Sequence, residues 1–180
     1  MSSVRQVCRW FSVLLITLLL SSCTVSKKVG QVLMDPDIQV GSLAEQPSTV
    51  RITLLAEPDI NKNESDEATP VNLQVIYLSE DSKLLATDFD QLNEEESDLE
   101  NILGKNYIDH QDYTLLPGQF KPLELIKLEE DNQYIGVVVY YADENSSQWK
   151  KVIKIKGVGH AYHLLIHVRD NDVELQKEED

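Results

Sequence analysis

The chain holds only two cysteines in 180 residues, and both, Cys8 and Cys23, lie within the first 23. Whatever follows Cys23 has no internal disulfide and no cysteine nucleophile. Seven glycines are few for a loop that must bring several backbone amides onto a phosphate. Basic residues are also short, with 16 Lys and Arg against 31 Asp and Glu and a net charge of −15. Phosphate backbones and anionic headgroups repel such a chain, which argues against nucleic-acid binding. The apolar run Trp10–Leu20 has 11 residues, well below the roughly 20 that a helix needs to cross a bilayer core. Neither a G-x-S-x-G elbow nor an H-E-x-x-H pair is present. With 31 acids in so short a chain, no carboxylate pair is marked out for acid–base work. The reading is a binding protein, not an enzyme, with no cofactor and no small-molecule substrate.

What is present begins at the N-terminus. Arg5 and Arg9, the apolar run and the small residues Ser21 and Ser22 have the three zones of a secretory signal over residues 1–22. Leu20-Ser21-Ser22-Cys23 looks like a bacterial lipobox, in which the thiol is acylated, the chain is cut before the cysteine, and the new amino group takes a further acyl chain. Two or more chains give stable attachment, because each buried methylene contributes about 0.8 kcal/mol. Cys23 is thus expected to hold the protein on a membrane lipid without any span. Thr24 follows the cysteine where an Asp would signal retention in the inner membrane, so the periplasmic face of the outer membrane is favoured. Removing residues 1–22 takes two arginines and no acid from the total, leaving 14 basic against 31 acidic side chains, or −17.

Residues 23–47 are polar, contain Pro36, Gly41 and Pro47, and read as a tether; Gln39–Leu43 as a short strand is the alternative. Residues 48–180 are read as one β-domain. Val50, Ile52, Leu54 and Ala56 alternate with polar residues, and Val71, Leu73, Val75 and Tyr77 do the same, predicting two half-buried strands. The 14 residues between them, Glu57–Pro70, are polar, and so long a connection in a compact domain is often functional. From about 87 to 104, apolar residues recur at helical intervals. Two short helices are expected there, near 88–93 and 98–103, with Ser97 and Glu100 as a capping box and Gly104 as a stop. Strands resume after Tyr107. An alternating run follows at Phe120–Leu128, then a nearly uniform apolar one at Tyr134–Tyr141, then Trp149–Lys156, Leu164–Val168 and Val173–Leu175. Seven or eight strands with one short helical insertion predict an all-β sandwich.

Candidate chemistry is sparse. His160, His163 and His167 suit a metal only on a helix; on the strand expected there, His163 and His167 share a face and His160 does not. Asp59, Asn61 and Asn63 imitate the opening of a calcium loop, but its sixth place has Glu64 instead of Gly and its twelfth Pro70 instead of Glu. No metal is therefore expected. Trp149, Tyr140 and Tyr141 read as core or sheet-edge residues. The acidic loop Glu57–Pro70 remains as an accessible surface on which a partner can dock.

The order of features then matters as a whole. It runs from the Cys23 lipobox through strand, loop and strand ending Pro70-Val71-Asn72-Leu73-Gln74-Val75-Ile76-Tyr77-Leu78 to Ala86-Thr87-Asp88-Phe89-Asp90-Gln91-Leu92. Leu115-Leu116-Pro117-Gly118, Tyr134-Ile135-Gly136-Val137-Val138-Val139-Tyr140-Tyr141 and Trp149-Lys150 follow. This resembles the TssJ family (SciN- and VasD-like), the outer-membrane lipoproteins of the type VI secretion system. The resemblance implies a transthyretin-like β-sandwich, lipid-anchored on the periplasmic side of the outer membrane. It would bind the periplasmic C-terminal region of TssM and complete a trans-envelope complex. It also implies that the first inter-strand loop, here Glu57–Pro70, contributes to that contact, with Asp59, Asn61, Asn63, Glu64, Asp66 and Glu67 as the candidate residues. The loop is unusually acidic for that family, and a basic partner surface is expected. A pilotin-like or binding lipoprotein for another outer-membrane complex is the alternative.

Overall fold

Period-two alternation places Val50, Ile52, Leu54 and Ala56 on one side of strand β1 (Thr49–Ala56), and all four are buried. β2 (Val71–Leu78) begins with the same pattern, then becomes apolar on both sides at Ile76 and Leu78. The computed structural model describes residues 46–93 and 98–180. The expectations for the signal segment 1–22, Cys23, the tether to residue 45, the Gln39–Leu43 strand and Ser97 lie outside the described residues.

After β2 come three five-residue helices, α1 (Ser82–Ala86), α2 (Phe89–Asn93) and α3 (Leu99–Leu103), and a single 3-10 turn at Gly104–Asn106. The chain continues through β3 (Tyr107–Leu115), β4 (Phe120–Pro122), β5 (Ile126–Lys127), β6 (Tyr134–Tyr140), β7 (Lys150–Lys154), β8 (Ala161–Val168) and β9 (Val173–Glu179). One sheet has the order β4-β1-β8-β9, with β5 also on β1; the other has the order β3-β2-β6-β7. β1 and β8 are parallel over eight residue pairs, Thr49 with Ala161 through Ala56 with Val168. The other pairings between named strands are antiparallel.

The inner faces of the two sheets meet in one core of Val50, Ile52, Leu54, Leu73, Val75, Val137, Val139, Leu164 and Ile166, among others. A second cluster lies on the outer face of the β2/β6 sheet, where Ile76, Leu78 and Val138 are covered by Leu84, Leu92, Leu99 and Leu103 from the helices. β6 is thus covered on both faces. This is why its sequence is continuously apolar instead of alternating, and every residue from Ile135 to Val139 is buried.

Three expectations need correction. The helical insertion starts at Ser82, not near 87, because α1 is held by tertiary contacts that its own sequence does not advertise. The cap of α3 is Asp98, whose side chain accepts the Glu100 N–H at 2.9 Å. The run Phe120–Leu128 is two short strands, because its register against β1 shifts by one residue between the pairs Thr53–Pro122 and Val50–Ile126.

Candidate partner-binding loops

Because β1 and β8 are parallel, their C-terminal ends bring the segments 57–70 and 169–172 to one end of the sandwich. Asn61 N–H donates to Asp170 O at 3.2 Å, and Glu57 N–H donates to Val168 O at 2.9 Å. The segment 116–119 joins them through Gly118 N–H to Glu57 O at 3.0 Å, and 142–149 joins through Gln148 N–H to Asn171 O at 2.8 Å. These four segments carry nine acidic residues (Glu57, Asp59, Glu64, Asp66, Glu67, Asp143, Glu144, Asp170, Asp172) and two basic ones, Lys62 and Arg169. The surface at this end is negative, and it is also where strand β1 delivers the chain furthest from Gln46.

The first loop is built, not loose. Ile60 is fully buried and anchors it. Asn61 is buried as well; its Oδ1 accepts the Ala142 N–H at 2.7 Å, and its Nδ2 donates to Thr69 Oγ1 and Pro70 O, each at 2.9 Å. A small hairpin closes beyond it, with Lys62 bridged to Ala68. Its tip is an Asx turn in which Asn63 Oδ1 accepts the N–H groups of Ser65 at 2.9 Å and Glu67 at 3.0 Å. Asp66 sits in the left-handed region at φ 61°, a conformation that Asp and Asn tolerate better than most side chains.

Of the six loop residues singled out in the sequence, Asp59, Asn63, Glu64, Asp66 and Glu67 are exposed. Asn61 is turned inward and its polar atoms serve the fold. The sequence reading missed Asp143 and Asp170, which line a cleft of about 190 Å³ with Asn61, Lys62, Tyr141, Ser146 and Asn171. The residues are distant in sequence, so only strand pairing reveals the cluster. Lys62 Nζ lies 3.6 Å from Asp170, 3.6 Å from Asp59 and 3.7 Å from Asp66. Asp170 foremost, with Asp66 and Asp59 adding to it, holds this ammonium above the usual lysine range. These pairs are long and wet and stabilise little, but they leave the lone loop cation already engaged.

The other candidates resolve as packing. On β8, His163 and His167 point outward together, while His160 precedes the strand and stacks on Tyr162. His167 Nε2 lies 3.3 Å from Glu57 Oε1 and His163 Nε2 3.3 Å from Asp180 Oδ2. Among the described residues, no group of three or more His, Cys, Asp or Glu is placed to hold a metal ion. Trp149 packs edge-on against Phe89 at 5.2 Å, and Tyr140 donates to Gln74 Oε1 at 2.6 Å. Tyr141 is buried and donates to Asp172 O at 2.7 Å, tying the 169–172 turn to β6. No helix among the described residues is long and apolar enough to cross a membrane.

This sandwich, with helices on one outer face and loops gathered at one end, matches a known family model over residues 48–171, described as the type VI secretion lipoprotein family with the names VasD, EvfM and TssJ. The chain belongs to the type VI secretion lipoprotein family. Its fold is similar to that of the T6SS lipoprotein TssJ1 from Pseudomonas aeruginosa, at 23% identity and a TM-score of 0.67, covering 73% of this chain and 97% of that one. Serratia marcescens Lip, a membrane bound component of the type VI secretion system, is similar at 19% identity and a TM-score of 0.60, with 71% and 96% covered. A chain in a structure described as the TssM C-terminal domain (869-1107) from EAEC matches at 17% identity and a TM-score of 0.54, with 71% and 97% covered. No curated protein sequence matches the chain. As a type VI secretion lipoprotein, the protein has the sandwich and the short helical insertion that the sequence predicts.

Proposed function

We propose that this lipoprotein is acylated at Cys23 and sits on the periplasmic side of the outer membrane. There it anchors the secretion complex by binding the periplasmic C-terminal region of TssM through the acidic loop end of the sandwich, acting by binding and not by catalysis. The observation that carries the reading is the ordered, negatively charged loop 57–70, reinforced by Asp143 and Asp170, at the end of β1 furthest from Gln46. The family membership supports the setting. One further observation supports the partner: 71% of these 180 residues make up 97% of the chain matched in the TssM structure, so that chain is much shorter than the span 869–1107. Its length fits a lipoprotein-sized chain accompanying the domain.

A negative surface of this kind selects a basic partner patch and speeds encounter, with screening limiting the attraction to about 8 Å at physiological salt. The test is binding of the TssM periplasmic region to the full mature chain, compared with Glu64→Lys/Glu67→Lys. Both side chains are exposed, so the fold is kept; replacing the whole of 57–70 would also delete Ile60 and Asn61. The double variant is expected to weaken binding by about tenfold or more at low salt and to flatten the salt dependence. Unchanged affinity, or affinity of the parent that stays flat as salt rises, overturns the reading. For the anchor, Cys23→Ser is expected to leave the outer-membrane fraction and to carry no palmitate label.

A further inference from the structure

Among the described residues, four large apolar side chains are more than half exposed: Leu85, Leu116, Phe120 and Leu125. Isolated exposed leucines need no explanation, but three of these four lie on one short segment, 116–125, that runs along the free edge of β1. Phe120 is the most exposed, at 65%. It pairs across the ladder with Leu55 and walls a cleft of about 260 Å³ with Arg51, Thr53, His163, Leu165 and Gln176 on the outer face of the sheet.

The edge itself is a poor template for an added strand. β4 has three residues and ends in Pro122, which cannot donate to a ladder. Recognition here runs through side chains. The patch is also fixed to the acidic loop: Ala56 N–H donates to Gln119 O at 2.9 Å and Gly118 N–H to Glu57 O at 3.0 Å. Leu116 and Phe120 therefore flank the first residue of that loop, and a body touching one surface meets the other. A second copy of this chain is the wrong occupant, because a symmetric pairing through this end would bring nine acidic residues against nine.

We propose that Leu116 and Phe120 form the apolar centre of the partner interface whose charged rim is the loop 57–70. The occupant is an aromatic or branched aliphatic side chain set among Lys and Arg on the polypeptide that the loop engages. Interfaces concentrate their binding energy in such an aromatic anchor, ringed by polar contacts that exclude water. The inference rests on the function proposed above, and it is separable from it by salt. Apolar contact is insensitive to ionic strength over the range in which the loop contribution is screened.

The test measures binding of the TssM periplasmic region to the full mature chain carrying Phe120→Ser or Leu116→Ser, at low and high salt, with Leu85→Ser, on helix α1, as the control. Phe120→Ser is expected to weaken binding by about tenfold, by the same factor at both salts, with Leu85→Ser unchanged and circular dichroism superimposable on the parent. Both patch variants binding within about twofold of the parent while Glu64→Lys/Glu67→Lys fails would overturn the patch and leave the function standing. A parent that does not bind at all removes both. A dimer of the parent in sedimentation equilibrium that Phe120→Ser dissolves would reassign the patch to a second copy and overturn the proposal.

Discussion

Asn61 adopts φ 48° and closes the base of the first loop with side-chain hydrogen bonds to Ala142, Thr69 and Pro70. Asn61→Ala removes the acceptor of the Ala142 N–H together with the donor to Thr69 and Pro70, and puts a less tolerant side chain in a left-handed conformation. A loss of about 3 kcal/mol is expected in urea unfolding, with the slope unchanged. Asp66, also left-handed at φ 61° but exposed, gives the contrast: Asp66→Gly is expected to stay within about 0.5 kcal/mol. A small effect at Asn61 would mean that the loop base relaxes without it. The alternation of neighbouring strands gives no hint of this division of labour, because an Asn in a polar run reads the same whether it points in or out. Tyrosines supply a pH prediction. Burial, then Asp112, pushes the Tyr140 hydroxyl from 10.0 up to about 12, and burial raises Tyr141 and Tyr77 further. The folded state keeps these protons where the unfolded chain releases them, so stability is whole below pH 10 and falls as pH rises towards 12. Denaturant midpoints measured across that interval, alongside tyrosinate absorbance, check it; a flat profile would contradict it.

At the scale of elements, the helical insertion depends on one missing side chain. A Cβ at Gly136, in the middle of β6, would come within 2.3 Å of Leu84 Cδ2, so the bare backbone there is what lets α1 seat its only buried residue on the sheet. Gly136→Val is expected to cost about 2 to 3 kcal/mol. Leu84→Ala made in the same chain should recover part of that, so the double-mutant cycle departs from additivity by about 1 kcal/mol or more; strict additivity would show that the two residues do not compete for space. Lys150 on β7 completes the arrangement, donating to Leu84 O at 3.0 Å, Leu85 O at 2.7 Å and Thr87 O at 2.6 Å. It sits where the carbonyls of a helix end need donors. These two partners lie far from α1 in the chain, which explains why β1, β2 and β6 are readable from hydrophobic pattern while α1 is not. The division of Phe120–Leu128 into two strands is a one-residue shift of register against β1, which the alternation around it does not encode.

At the scale of the molecule, the position and charge of the loop are legible as a long acidic stretch between two strands. The convergence of Asp143 and Asp170 on it is not, because it follows from which strands pair, and alternation does not encode pairing. The parallel match of β1 with β8 has a further, mechanical meaning. Gln46 precedes β1 at one pole and the loop leaves it at the other, so a protein held by its N-terminal side and gripped at the loop carries tension lengthwise through β1. The eight-residue ladder to β8 is then loaded in shear, with many hydrogen bonds strained together. The C-terminal Asp180 hydrogen-bonds back to Ala161, at the same pole as Gln46, so a pull between residues 46 and 180 peels bonds one after another. Optical-tweezer handles at residues 46 and 64 should therefore rupture the fold at a higher force than handles at 46 and 180, forced unfolding being governed by the unfolding rate. The reverse order would mean that the sandwich is weakest along the line from residue 46 to the loop.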